Sequence, residues 1–172
     1  MAMKVFPVNT VLGAADVNEY LVNTKFAAKP NTTTITSQAV PAPDPDLQIQ
    51  LDSNKTYWIE LCAPFNTVAA AGFKYNFSAP AGAVLTGYAQ ILDPSLQATS
   101  IYTYDPAAAN LVGQNITFTS GGSIGDYLVA VRGTLATAGT AGNFVFQWSQ
   151  NTSNGGITVV RGGSSMLIRR VA

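Results

Sequence analysis

Asp44, Asp46 and Asp52, in the stretch PDPDLQIQLD, form the closest grouping of carboxylates in this sequence. With help from backbone carbonyls such a cluster could hold a hard cation. The spacing lacks the glycine and closing glutamate of a calcium loop, so a solvated connector is the reading that suits it better, and no metal is expected. A second chemistry open to carboxylates is glycoside cleavage, which needs two of them flanking one bond. Glu60, Asp93, Asp105 and Asp126 could supply a pair, because separation along a chain does not set distance in a sheet protein. With nine acids among 172 residues such a pair is unremarkable, and catalysis is not expected. The chain has no histidine, which removes Ser-His-Asp and Cys-His arrangements, and no lysine accompanies a serine in a nucleophile motif. Cys62, the single cysteine, cannot form an intrachain disulfide and, without histidine, nearly every common zinc site is excluded. Set in TYWIELCAPF, it reads as a small buried hydrophobe. The glycine-rich TSGGSIGDY and VRGGSSM are followed by no helix whose N-terminus could receive a phosphate, so no cofactor is expected.

The composition sets the kind of scaffold that carries these groups. A chain of 172 residues fits one domain and can bury roughly two-thirds of its unfolded surface. Charged residues make up 10 % of it, nine basic against nine acidic, where an ordinary soluble domain has about 25 %. The exterior must therefore be covered by Thr, Ser, Asn, Gln, Ala and Gly. Such a surface steers charged ligands weakly and repels its own copies little, which suits a protein living in a fixed assembly. Nine cations scattered from Lys4 to Arg170 form no basic stripe, so nucleic acid is not an expected partner. MAMKVFPVNT lacks the apolar core of a signal peptide and no run is long enough for a membrane span. A soluble product made in the cytoplasm, with no membrane partner, is the expectation. The five Asn-x-Ser/Thr matches, from Asn31 to Asn151, then read as chance in a chain rich in these residues.

Periodicity assigns the elements. In TVLGAADVNEYLVNTKF, Val17, Tyr20, Leu21 and Thr24 fall at i, i+3, i+4 and i+7, with Asp16 and Glu19 early and Lys25 late. The pattern predicts one amphipathic helix of about three turns within an arm over residues 1–30. So short a helix is marginal alone and should dock on the main body, a neighbouring subunit or a larger partner. From residue 31 to 172 the pattern is short alternating runs between turn residues. PAPDPD reads as an extended connector. TTTITS, LQIQL, KTYWIELCA, GFKYNFSA, AVLTGYAQI, QNITFTS, DYLVAVRGTL, NFVFQWSQ, ITVVRG and SMLIRRV read as strands, hence an all-β antiparallel sandwich or barrel. Tyr57, Ile59 and Leu61 share one strand face, as do Phe73, Tyr75 and Phe77, and Phe144, Phe146 and Trp148; these faces should form the core. Residues 92–114 are too long for a hairpin turn and read as a surface excursion, where Tyr102 and Tyr104 are the first candidates for contact with a partner. At the end of the chain NTSNGG reads as a hairpin turn with Gly155 and Gly156 free to take positive φ, and Gly162-Gly163 as allowing a bulge or bend.

GAADVNEYLVNT, LDSNKTYWIELCAPF, GFKYNFSAPAGAVLTGY and TAGTAGNFVFQWSQNTSNGGITVVRGGSSMLIRRV resemble, in that order, the jelly-roll module of tailed-bacteriophage virion proteins, seen in tail-fibre, minor-tail and head-decoration proteins. The resemblance covers most of residues 10–172, with SAPAGAV and the closing segment its most specific parts; PAPDPD and residues 92–114 match nothing in it. It implies a non-enzymatic jelly-roll sandwich, related in shape to tumour-necrosis-factor-like domains and assembled as a homotrimer. Tyr57, Trp58, Tyr88, Tyr127 and Trp148 are more large aromatics than a monomer of this size requires, and with Arg169 and Arg170 they are the expected trimer interface. Within that family the short chain suits a capsid decoration, or cement, protein on the virion exterior. It would bind the major capsid protein through Val5, Phe6, Val17, Leu21 and Phe26. The alternative is a head- or tail-fibre domain that binds a host surface polysaccharide, against which stands the absence of internal repeats.

Overall fold

The structure, a computed structural model, describes residues 24–92, 102–104, 110–119 and 126–171, with the backbone alone at 102–104. Every regular element among them is a strand, and every strand pairing is antiparallel. In chain order these are β1 (Thr24–Ala28), β2 (Thr33–Ile35), β3 (Ala42–Leu51), β4 (Thr56–Thr67), β5 (Phe73–Ser78) and β6 (Val84–Leu92). They continue with β7 (Tyr102–Tyr104), β8 (Ile116–Phe118), β9 (Tyr127–Ala136), β10 (Gly142–Ser149), β11 (Thr158–Val160) and β12 (Ser165–Arg170). Eight strands make one sheet, in the order β1-β12-β4-β9-β6-β7 with β11 between β2 and β4, and four make the other, β3-β10-β5-β8.

The two sheets share one core because their strands alternate as the sequence predicts. Tyr57, Ile59, Leu61, Ala63 and Phe65 point inward from β4, and Phe73, Tyr75 and Phe77 from β5. Across the gap Phe65 stacks on Phe73 with centroids 4.0 Å apart, and Phe118 meets Tyr127 edge-on at 4.7 Å. Such aromatic pairs add about 0.5–1.5 kcal/mol each beyond their area burial. Burial between these layers accounts for Tyr57, Tyr127 and Trp148, which corrects their assignment to a trimer interface: each is at most 3 % exposed within the single chain.

Both open sides of the sandwich are closed. On one, Lys25 Nζ donates to Gln50 O at 2.7 Å, and Lys29 reaches under the opposite sheet to Asp44. On the other, Asn110 Oδ1 accepts from Leu85 N (2.9 Å) and Val112 N (3.0 Å), while Gly113 N donates to Phe77 O (2.8 Å).

Four local expectations are corrected. Thr24 and Lys25, placed at the end of a helix by their spacing, open strand β1 because β12 offers them a register, Thr24 opposite Arg169; the rest of the helical pattern lies outside the described residues. PAPDPD is largely the first half of β3, not a connector. Its prolines are tolerated because β3 is an edge strand whose pairing with β10 slips in register between Val145 and Gln147. Residues 92–114 are only in part an excursion, since Tyr102–Tyr104 returns to pair with β6.

The fourth concerns the last segment, which is no hairpin. β10 belongs to the four-stranded sheet and β11 to the eight-stranded one, so NTSNGG crosses between layers. Gly155 and Gly156 are not among the positive-φ residues; Gly163 is, at φ 88°. There the expected bend exists. From Val160↔Phe65 to Ser165↔Cys62 the last strands advance five residues while β4 advances three, a bulge that leaves β11 and β12 as two halves of one strand along β4.

Candidate functional site

The carboxylates singled out by type do not assemble a catalytic or metal centre. Asp44 is buried, and its two oxygens accept from Lys29 Nζ (3.1 and 2.9 Å), Trp148 Nε1 (3.0 Å), Asp46 N (3.0 Å) and Leu47 N (3.2 Å). Asp46 meets the same ammonium at 3.1 Å. The cation between these two aspartates is thus Lys29, a partner that spacing in the sequence could not reveal because it lies 15 residues before Asp44, just past the end of β1. Asp52 turns elsewhere, to the Tyr57 hydroxyl and, at 3.8 Å, Lys25. Among the described residues no three His, Cys, Asp or Glu side chains are placed to share a metal ion.

Of the candidate glycosidase acids, Glu60 lies opposite Arg132 on β9, and Asp126, just before that strand begins, is six residues from Arg132. At about 3.3 Å per residue that is roughly 20 Å, more than the roughly 5–9.5 Å such a pair requires. Asp126 is instead held by Arg161 through Nη2 at 2.7 Å and Nε at 3.1 Å. Asp93 and Asp105 lie outside the described residues.

The surface that does gather unusual side chains is the outer face of the eight-stranded sheet. The alternation that sends Tyr57, Ile59 and Leu61 inward sends Trp58, Glu60 and Cys62 outward. Cys62 is therefore exposed, which corrects its reading as a buried hydrophobe; the hydrophobic run around it concealed which face it takes. Register then lines up one row across five strands: Phe26 opposite Leu167, Leu167 opposite Glu60, Glu60 opposite Arg132, Arg132 opposite Tyr88. A neighbouring row runs from Thr24 through Arg169, Trp58 and Thr134 to Thr86. Phe26 is 64 % exposed, and Trp58, Tyr88 and Val84 are also exposed large hydrophobics.

Within this face lies a concave groove of about 460 Å³, lined among others by Phe26, Glu60, Cys62, Tyr88, Arg132 and Leu167. Its polar floor is loosely tied. Trp58 Nε1 donates to Glu60 Oε1 at 3.3 Å, and Arg132 Nε approaches the same carboxylate at 3.7 Å, both ionic side chains being about half exposed. Hydrogen bonding to the Tyr88 hydroxyl first, and the Glu60 charge after it, hold the Arg132 guanidinium above its already high pKa. Aromatic rings, a guanidinium and an apolar rim in one concave patch are the composition of residues that carry binding energy at protein interfaces.

Of the residues expected in contacts, Trp58, Tyr88 and Arg169 are on this outer face, and so is Phe26. Arg170, half-buried, sits opposite Tyr57 at the end of β12. Val5, Phe6, Val17 and Leu21 lie outside the described residues, as do the side chains of Tyr102 and Tyr104. The groove itself was not foreseen; the signal for it was present, since fixing Tyr57, Ile59 and Leu61 inward also fixes what faces outward.

No family model matches the chain and no curated protein matches it. It is similar to a chain in the structure of infectious bursal disease virus Gx strain, at 12 % identity and a TM-score of 0.21, over 86 % of this chain and 35 % of that one. It is also similar to one in the Gt strain structure, at 14 % identity and a TM-score of 0.18, over 86 % of this chain and 40 % of the other. The chain thus spans less than half the length of either viral chain, and superpositions this loose carry no argument about its role.

Proposed function

We propose that this chain is a non-enzymatic virion structural protein with a jelly-roll sandwich, a decoration subunit that binds and stabilises a shell of major capsid protein. Two things support the reading: the stretches resembling the tailed-phage virion module, and a low-charge sandwich whose strongest surface feature is an apolar, aromatic sheet face. The observation that carries it is that face, where Phe26, Trp58 and Tyr88 stand exposed around a single loose ion pair. Phe26 belongs to the capsid contact, together with Val5, Phe6, Val17 and Leu21. The copies assemble as a trimer whose seam includes Trp58 and Arg169. The protein is made in the host cytoplasm and carried on the virion exterior.

Gel densitometry of purified particles tests this. Hundreds of copies per particle are expected; a few copies, with density confined to a fibre in images of particles with and without the protein, would contradict the decoration role and favour a host-binding fibre. Light scattering at micromolar concentration checks the trimer, which a monomeric mass together with separate subunits in the particle would overturn.

A further inference from the structure

Lys29 and Asp44 are the two charged side chains fully buried among the described residues, and their ion pair bridges the layers. Lys29 follows β1 on the rim of the eight-stranded sheet, and Asp44 lies on edge strand β3 of the other. Between Pro43 opposite Gln147 and Gln48 opposite Val145, β3 advances five residues while β10 advances two. That bulge brings the N–H groups of Asp46 and Leu47 to Asp44 Oδ1, at 3.0 and 3.2 Å, while Trp148 Nε1 donates to Asp44 Oδ2 at 3.0 Å. The Lys29 backbone is fixed too: its N donates to Ser164 O and its O accepts from Gly163 N, each at 2.8 Å. Its Nζ stands 3.1 and 2.9 Å from the two Asp44 oxygens, so the carbon between them, Cγ, faces the nitrogen. Asp46 Oδ2 is 3.1 Å from the same Nζ, on a side chain about one-third exposed that can keep its charge without Lys29.

We propose that Lys29 and Asp44 condense to an intramolecular amide, a covalent crosslink between the two sheets, with the ion pair as its starting state. One ammonium proton passes along the 2.9 Å hydrogen bond to Asp44 Oδ2, which leaves a neutral amine beside a neutral carboxyl. The nitrogen lone pair bonds to Cγ, and the C=O pair moves onto Oδ1, where the N–H groups of Asp46 and Leu47 stabilise the oxyanion. Asp46 takes a second proton from the nitrogen and delivers it to Asp44 Oδ2. The pair on Oδ1 restores the C=O bond, the Cγ–Oδ2 bond breaks, and Oδ2 leaves as water. Of the three ammonium protons one stays on the amide nitrogen and two leave in the water, so no oxidant, reductant or activating group is needed. Asp46 ends ionised as it began. Two features drive the step: condensation removes two charges that are costly to keep buried, and the two backbones already hold the reacting groups together. The inference concerns the free protein and does not depend on the decoration role.

Mass spectrometry of the full chain, purified folded and then denatured and digested with trypsin, tests the proposal. Lys29 precedes Pro30, where trypsin does not cut, so one peptide, Phe26 to Lys55, carries both residues. In the wild type this peptide is expected one water lighter than its sequence, with no backbone fragments arising between Lys29 and Asp44. The same peptide from Lys29→Met should have its full mass. In Asp46→Asn, where the proton carrier is gone, the lighter form should accumulate about a hundredfold more slowly after cell-free synthesis, within the range for general acid–base catalysis. A wild-type peptide at full mass, from protein that melts cooperatively, would overturn the proposal without reference to any variant. So would a water loss that persists in Lys29→Met, which would assign it to a cyclised aspartate elsewhere in the peptide. An unchanged rate in Asp46→Asn would remove Asp46 from the step.

Discussion

Lys29 is a fully buried lysine whose ammonium meets Asp44 at 2.9 Å and Asp46 at 3.1 Å. A buried pair contributes little net stability against well-packed apolar residues, but losing one partner strands the other charge, at about 3–5 kcal/mol. Lys29→Met should therefore cost about that much in urea denaturation, with Asp44 left to its neutral donors, whereas loss of the exposed Lys25 contact should cost less than about 1 kcal/mol. Tyr75 presents the opposite case. Its hydroxyl is buried with no hydrogen-bond partner among the described residues, and burial pushes its pKa far above the usual tyrosine value. Tyr75→Phe removes an unsatisfied group whose desolvation costs about 1–3 kcal/mol, and should raise stability by about 1 kcal/mol. The sign of the pH effect follows from the raised pKa. An unfolded tyrosine ionises at about 10 while folded Tyr75 keeps its proton, so its contribution is intact below pH 10 and is lost as pH rises from there toward the folded value. Tyr57, also raised, first by burial, acts in the same direction. Denaturation from pH 8 to 11 should show this alkaline fall, and Tyr75→Phe should make it shallower.

Among the elements, the pairing of β6 with β9 depends on two facing glycines. A Cβ on Gly133 would lie 2.4 Å from Thr86 O, and one on Gly87 would lie 2.2 Å from Arg132 O, both backbone atoms that cannot step aside. Gly133→Ala must push the strands apart and should cost about 1–3 kcal/mol, the range for overpacking, read as a lower melting temperature. The bulge between β11 and β12 makes a different demand. Gly163 has open space around it but a φ of 88°, so Gly163→Ala should cost about 1–2 kcal/mol from backbone conformation alone. Gly139→Ala, with open space and no unusual φ, is the matching neutral control. The ten segments read as strands each fall on a strand of the fold, LQIQL on only the second half of β3, because their alternation is set by one buried face. The strands that escaped, β1 and β7, are short edge elements with little alternation; pairing with β12 and β6 makes them strands, and no local pattern announces a partner.

For the whole molecule, stability and contact are carried by opposite faces of the same strands. Trp148 and Tyr127 hold the layers together, while Trp58 and Tyr88 look outward from the eight-stranded sheet. Trp58 and Tyr88 are only about one-third exposed, so Trp58→Ala/Tyr88→Ala should lower unfolding free energy by about 1–2 kcal/mol per site, the share of apolar burial each ring has on its own sheet. The same variant should weaken binding to emptied, undecorated shells, measured by co-sedimentation. Undiminished binding would remove this face from the proposed capsid or subunit contacts.

Alternation in KTYWIELCA, GFKYNFSA and NFVFQWSQ was enough to determine an all-β core and which aromatic residues build it, because burial of one strand face is a local demand written every second residue. The absence of histidine and the low charge likewise narrowed the chemistry without any fold. Only the tertiary structure decided that the Asp44–Asp46 pair holds Lys29, that Glu60 and Asp126 stand far apart, that the last segment crosses between sheets, and that Phe26, Cys62, Tyr88, Arg132 and Leu167 share one groove. Each of those facts depends on which strands become neighbours, and register between distant segments is fixed by the packing of the whole core.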